Sequence, residues 1–158
     1  MKTIILPLKL IFLFIFLNYG EVKSKGDLTR QKPISAEILM RGTIGESHFY
    51  EPSILRFETG KLYKLTIKNI SDSKHYFSSK EFSNSIFTRK IQVIKNNEKI
   101  SEIKGLINEV EIFPHNSLEW WFVPVKTGRF NDLFCSVIDK QRKKKHSEMG
   151  MVGTIIIE

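Results

Sequence analysis

Cysteine is nearly absent: the 158-residue chain has one, Cys135. No intramolecular disulfide can form, and zinc sites with two or more thiolates, four-thiolate iron–sulfur clusters and two-thiolate copper centres are excluded. Beyond the N-terminus no apolar run approaches the ~20 residues that a membrane-spanning helix needs. Internal repeats, heptads and long helical periodicity are missing too. No Ser/His/Asp order, phosphate-binding loop or pair of carboxylates at a catalytic spacing stands out, so the common hydrolytic and phosphoryl-transfer designs have no foothold.

What is present is a globular composition. Hydrophobic residues make up 41% and charged residues 27%, a balance that argues against a largely disordered chain. Twelve Phe, four Tyr and two Trp supply bulk for a core, and the length suits one domain. The N-terminus reads as a targeting segment. Lys2 and Lys9 lead into an uninterrupted apolar run at 10–17, LIFLFIFL, which has the length of a signal-peptide core and is short for a membrane span. Val22 and Ser24 suit cleavage after Ser24. Residues 1–24 are therefore read as a signal peptide, with an uncleaved N-terminal anchor as the alternative. Either way the folded part is expected outside the cytoplasm, in the periplasm or an equivalent compartment. Small exported domains often depend on disulfides; this one must rely on its core or on a metal.

The net charge is +8, and the chain stays basic without Lys2, Lys9, Lys23 and Glu21. The expected complement is an acidic protein partner or an anionic membrane surface. Export argues against nucleic acid.

Residues 25–35 are polar and are read as a flexible lead-in, with the domain proper at 36–158. From there short β-type runs alternate with turn residues. Runs at 36–40 and 53–57 come first, and 58–61 (Glu-Thr-Gly-Lys) is a turn. Residues 62–69 alternate apolar and polar, the strongest half-buried strand signal in the chain. The run at 109–113 stops at Pro114. Residues 117–123 set Leu118, Trp120 and Phe122 on one face and end at Pro124. Gly128 opens 129–135, and Gly153 opens 154–157. Between 79 and 105 the pattern is less regular: 79–87 suits a helical turn, 89–94 a strand and Asn96-Asn97 a turn. Seven or more short strands in one domain predict an all-β fold, an antiparallel β-sandwich with Greek-key connections.

Chemistry-bearing side chains gather near the C-terminus. Residues 135–153, CSVIDKQRKKKHSEMGMVG, carry a thiol at Cys135, an imidazole at His146 and a thioether at Met151 between two expected strands. Another imidazole, His75, follows the strongest strand. Two His, one Cys and a weak Met are the ligand set of a blue-copper electron-transfer site. Soft sulfur favours Cu(I), imidazole serves both oxidation states, and a compromise geometry lets an electron move with little rearrangement.

On these residues the sequence resembles the cupredoxin family, of the plastocyanin and azurin kind. Residues 52–69, from Pro52 through Gly60 to Asn69, are similar to the family's run before the first ligand, and His75 sits where the first copper histidine is expected. Pro114, Trp121, Pro124, Gly128 and Cys135 are similar to the run leading to the ligand cysteine. His146 and Met151, the latter within Gly150-Met151-Val152-Gly153, have the plastocyanin-type spacing. The resemblance implies a cupredoxin-like sandwich over about residues 36–158. It implies one copper per chain, cycling between Cu(I) and Cu(II) and held by His75, Cys135, His146 and Met151. It also implies that Ser136 helps shape the hydrogen bonds of the thiolate. The expected function is a monomeric carrier of single electrons between extracytoplasmic partners, acidic redox proteins among them, with no enzymatic activity and no small-molecule substrate. With one sandwich and few histidines, no second copper site is expected, and hence no multicopper-oxidase or nitrite-reductase chemistry.

One departure from the family matters. Ten residues separate Cys135 from His146, where plastocyanin-like members have a much shorter stretch. Closing the longer loop costs little, about 0.6 kcal/mol per doubling of length. A mobile loop would suit ligand exchange, so a copper storage or delivery module is the alternative function. The remaining candidates have plainer readings. His48 and His115, beside Ser47 and Pro114 in expected turns, are read as surface or structural. Met149 is the rival axial sulfur, read as packing or facing solvent. Trp120 and Trp121 point to opposite faces of a strand. The run 142–145 (Arg-Lys-Lys-Lys), beside a ligand histidine, is a candidate docking surface.

Overall fold

The computed structural model describes residues 26–96 and 98–158; the segment read as a signal or anchor lies outside them. Period-two alternation builds the strands, and their apolar halves close on one another across two sheets. The strands are β1 (Ile34–Thr43), β2 (Ser47–Glu51), β3 (Ile54–Phe57), β4 (Tyr63–Asn69), β5 (His75–Ser78), β6 (Ile86–Lys95), β7 (Glu98–Ile103), β8 (Glu109–Ile112), β9 (Ser117–Pro124), β10 (Gly128–Phe134) and β11 (Val152–Ile157). One sheet has six strands in the order β2-β1-β4-β9-β6-β7, the other five in the order β3-β11-β10-β5-β8. Among the described residues there is one α-helix, α1 (Lys80–Ser83), capped by Ser79, whose side chain accepts from Phe82 N. Among the described residues no helix is long and apolar enough to cross a membrane.

The all-β sandwich agrees with the sequence, but its pairings are not all antiparallel. β1 runs parallel to β4, with Ile34 opposite Tyr63, and β3 parallel to β11, with Leu55 opposite Ile155. After β1 the chain turns into β2, crosses to the other sheet for β3 and returns beside β1 in the same direction. Alternation fixes the face a side chain takes and says nothing of a neighbour's direction. The first strand also starts earlier than expected, at Ile34, inside the segment read as a lead-in. Leu28–Arg30 form one turn of 3-10 helix. Gln31 Nε2 donates to Gly60 O at 2.8 Å and Ile34 N to Leu62 O at 2.8 Å.

Aromatic rings fill the core. Trp120 and Phe122 from β9 meet Phe82 from α1, Phe77 from β5 and Phe57 from β3, all buried. Most of these rings pack edge to face, with Phe82 5.2 Å from Phe122 at 89° and 5.8 Å from Trp120 at 71°, an arrangement that the ring quadrupole favours; Phe57 and Phe82 stack at 29°. Trp121 takes the opposite face, where the Lys90 ammonium lies 4.9 Å from its ring centre. The β1–β2 turn, the β4–β5 connection and the long β10–β11 connection come together at one end of the sandwich.

Candidate metal centre

His75 opens β5, and the loop before it is tied by Asn69. Asn69 Nδ2 donates to Ser73 O at 2.7 Å and to Ile112 O at 2.9 Å. Its Oδ1 accepts from Ser71 N at 3.0 Å and from the Ser71 hydroxyl at 2.9 Å. Ser71 Oγ lies 2.7 Å from His75 Nε2. With the hydroxyl proton engaged by Asn69, Ser71 Oγ accepts from His75 Nε2–H, which leaves Nδ1 as the bare nitrogen.

Cys135 follows β10 directly and is fully buried. Its sulfur accepts a hydrogen bond from Tyr76 N at 3.3 Å, with the Val137 amide also directed at it. Ser136, expected to serve the sulfur, makes none of the hydrogen bonds described there. β5 runs beside β10, so its backbone supplies the donor. Cys135 N donates to Met151 O and Ser147 N to Cys135 O, at 3.2 and 3.0 Å. His146 begins a 3-10 turn, His146–Met149. Its amide donates to Val137 O at 2.7 Å, and Met151 N donates to His146 O at 2.9 Å. Met151 is fully buried and Met149 half-buried.

These anchors bring three donors together. His75 Nδ1 and His146 Nδ1 are 3.0 Å apart; Cys135 Sγ is 3.8 Å from the first and 3.6 Å from the second. Metal bonds of about 2.0 Å to imidazole and 2.3 Å to thiolate, the values for zinc, let donors to one ion lie up to about 4 Å apart. The three separations therefore fit one ion.

A third imidazole was not expected here. His48, read as a surface or structural residue in a turn, lies on β2 and is fully buried. Ligand atoms of His48, His75 and His146 lie within 4.8 Å of one another. The His48 ring stacks on His146, with centroids 3.5 Å apart and planes at 16°. An imidazole lone pair lies in its ring plane, so two rings stacked this way cannot both aim at one ion. His75 and His146, at 4.9 Å and 59°, have no such conflict. His115 is exposed, 3.0 Å from Asp72, as the sequence suggested. Asp139, a few residues before the basic run 142–145, is buried beside His48 at 3.1 Å. The usable signal for His48 was its two-residue phase with Tyr50, which is also buried.

Burial lowers the pKa of His75 to about 3, helped by His146 and His48. Burial likewise lowers that of His146 to about 4, with His48 adding and Asp139 opposing. Burial pushes the Cys135 thiol up, against the Tyr76 and Val137 amides. In the unfolded chain both imidazoles protonate near 6.5, so below that pH the unfolded state binds more protons. Stability of the metal-free protein should be full above pH 6.5 and fall towards pH 4 and then 3, by about 1.4 kcal/mol per pH unit for each proton. Carboxylates titrate lower, so the diagnostic window is about pH 6.5 to 5. Urea unfolding across it should give a shallower slope for His75→Gln than for the parent. Equal slopes would contradict the assignment.

No protein-family model matches the chain, and no curated protein matches its sequence. Solved structures do. The chain is similar to a multicopper oxidase from Campylobacter jejuni, with a TM-score of 0.55 and 16% identity over 80% of this chain and 30% of that one. It is similar to a copper nitrite reductase from Nitrosomonas europaea, with a TM-score of 0.58 and 8% identity over 85% of this chain and 52% of that one. A purple cupredoxin from Nitrosopumilus maritimus is matched over 78% of this chain and 99% of that one, at 19% identity and a TM-score of 0.41. The chain thus spans 30% of the oxidase's length and about half of the reductase's. At these identities the likeness is one of fold. The chain adopts the cupredoxin fold, with buried sulfur and nitrogen donors gathered at one end of the sandwich.

Proposed function

We propose that this is an exported copper protein that carries single electrons and is not an enzyme, with one copper held by His75, Cys135, His146 and Met151. The observation that carries the reading is the buried triangle of two Nδ1 atoms and one Sγ, with edges of 3.0, 3.6 and 3.8 Å. Two imidazoles and a thiolate with a weak thioether are the donor set of a blue-copper site. Copper bound there would supply a one-electron couple. The chain's own residues do the rest. Ser71 orients His75, the Tyr76 amide holds the sulfur, and burial keeps both imidazoles unprotonated at neutral pH. Met151 is favoured as the axial donor because it is fully buried and its backbone bonds to both Cys135 and His146. Names of the similar structures include copper enzymes, which supports the choice of metal.

Export rests on the N-terminal sequence. The partner we favour is an acidic redox protein, because Lys140, Arg142, Lys143, Lys144 and Lys145 are all exposed on the loop that joins two of the proposed ligands. Storage or delivery drew its support from a mobile Cys135–His146 loop. That loop is closed by its own hydrogen bonds, Asp139 N to Lys144 O at 2.8 Å and Lys143 N to Asp139 O at 3.0 Å, which supports the carrier.

Copper reconstitution followed by visible and electron paramagnetic resonance spectra tests the function. An intense thiolate band with reversible cycling supports the carrier; tight Cu(I) binding without the band supports delivery. Met151→Leu should keep copper and colour and raise the reduction potential, since a weak donor to Cu(II) is lost. Met149→Leu should leave the potential unchanged. The reverse result would move the axial position to Met149.

A further inference from the structure

We infer that His48 is a positioning residue for His146, fixing that ring by stacking where other metal-binding histidines are fixed by a hydrogen bond; this rests on the reading of His146 as a copper ligand. A ligating histidine ordinarily donates its second ring N–H to a carboxylate, carbonyl or water, which sets the ring's orientation. His75 has such a partner in Ser71 Oγ. His146 does not: its Nε2 is buried and has no hydrogen-bond partner among the described residues. What it has is the His48 ring lying flat against it at 3.5 Å.

The stacking ring is itself held in place. His48 Nε2 donates to Asp139 Oδ2 at 3.1 Å, and the same oxygen accepts from Gly45 N at 2.9 Å. On its other side, His48 Nδ1 occupies the space a side chain at Gly42 would need, so the seat requires glycine at that cross-strand position. His48 thus ties the β1–β2 hairpin, of which it is part, to the loop that carries both Asp139 and His146. A rotation of His146 would have to displace a ring whose Nε2 is hydrogen-bonded to Asp139 and whose Nδ1, buried and without a hydrogen-bond partner among the described residues, faces Gly42. The stack also covers His146, which is fully buried.

Two substitutions separate a flat ring from mere bulk. His48→Phe keeps a ring that can stack; His48→Leu fills similar space without one. With copper bound, His48→Leu should lower copper affinity by about 10- to 100-fold, the usual cost of losing a group that orients a ligand, and should alter the paramagnetic resonance spectrum. His48→Phe should keep the parent spectrum and bind copper within a few-fold of the parent. Without copper, the His146 ring protons should give one sharp set of resonances in the parent and in His48→Phe, and a broadened or doubled set in His48→Leu. If both variants match the parent in spectrum and affinity, His48 is packing alone and the inference fails. If both lose spectrum and affinity equally, the bond to Asp139 matters and the stack does not, which also overturns it. A parent protein that takes up copper without a thiolate band would instead contradict the copper-site reading, and the metal-free resonances would still decide the role of His48.

Discussion

Cys135→Ser should abolish the intense visible band and most of the copper affinity while leaving the sandwich folded. A serine hydroxyl stays protonated where a thiol bound to a metal does not, and it lacks the polarisable sulfur that suits Cu(I). The substitution changes little else. Cys135 is small and fully buried, serine has nearly its shape, and the Tyr76 amide that now points at Sγ from 3.3 Å can donate to Oγ. The cost to stability should stay within about 1–3 kcal/mol, the range for burying an imperfectly bonded hydroxyl. Titration with Cu(II), calorimetric affinity and a circular-dichroism melt read the three parts separately. A band that survives would move the metal away from Cys135. Loss of the cooperative melt would mean that the sulfur serves the core rather than the site.

Residue type and alternation carried much of the fold. β4 and β9 were legible because Leu65, Ile67, Trp120 and Phe122 fall in phase and all end buried. His75, Cys135 and His146 were legible as candidates because few residue types bind copper and this chain has few of them. What stayed hidden were contacts between distant segments. His48 meets Asp139 across 91 positions, and nothing local to either residue marks that pairing. Phe49 is partly exposed between the buried His48 and Tyr50, so the alternation that would mark β2 is blurred by an apolar residue on the solvent face. Asp139 sits among lysines and reads as one more charge in a solvated loop. Ser136, next to the cysteine, was expected to help shape the sulfur's hydrogen bonds, whereas the neighbouring strand supplies a donor through the Tyr76 amide. Parallel neighbours could not be read either, because alternation is the same for both directions.

The long Cys135–His146 loop is expected to owe its shape to the buried Asp139 and not to its exposed cations. Asp139 Oδ1 accepts from Gln141 N at 2.8 Å and Arg142 N at 2.6 Å, and Oδ2 from Gly45 N at 2.9 Å and His48 Nε2 at 3.1 Å. The Arg142 and Gly45 amides hold its carboxyl well below the usual carboxylate range. A depressed folded-state pKa means that its contribution is complete above the ordinary carboxylate value and is lost only as pH falls through the lowered one. The anchor is therefore fully charged at neutral pH. Asp139→Ala strands four donors at once and should weaken copper binding by about 10- to 100-fold and change the visible spectrum. Asp139→Asn should not rescue it, because one of the two oxygens becomes an NH2 group facing other donors. Neutralising Lys140, Lys143 and Lys144 should leave spectrum and affinity alone. It should instead slow electron exchange with an acidic partner several-fold at low salt, an effect that fades as exposed charges are screened over about 8 Å at physiological ionic strength. Copper titration and stopped-flow reduction across an ionic-strength series separate the two roles. A normal spectrum in Asp139→Ala together with a changed one in the lysine variant would reverse the assignment and place the shaping of the site on the loop's surface charges.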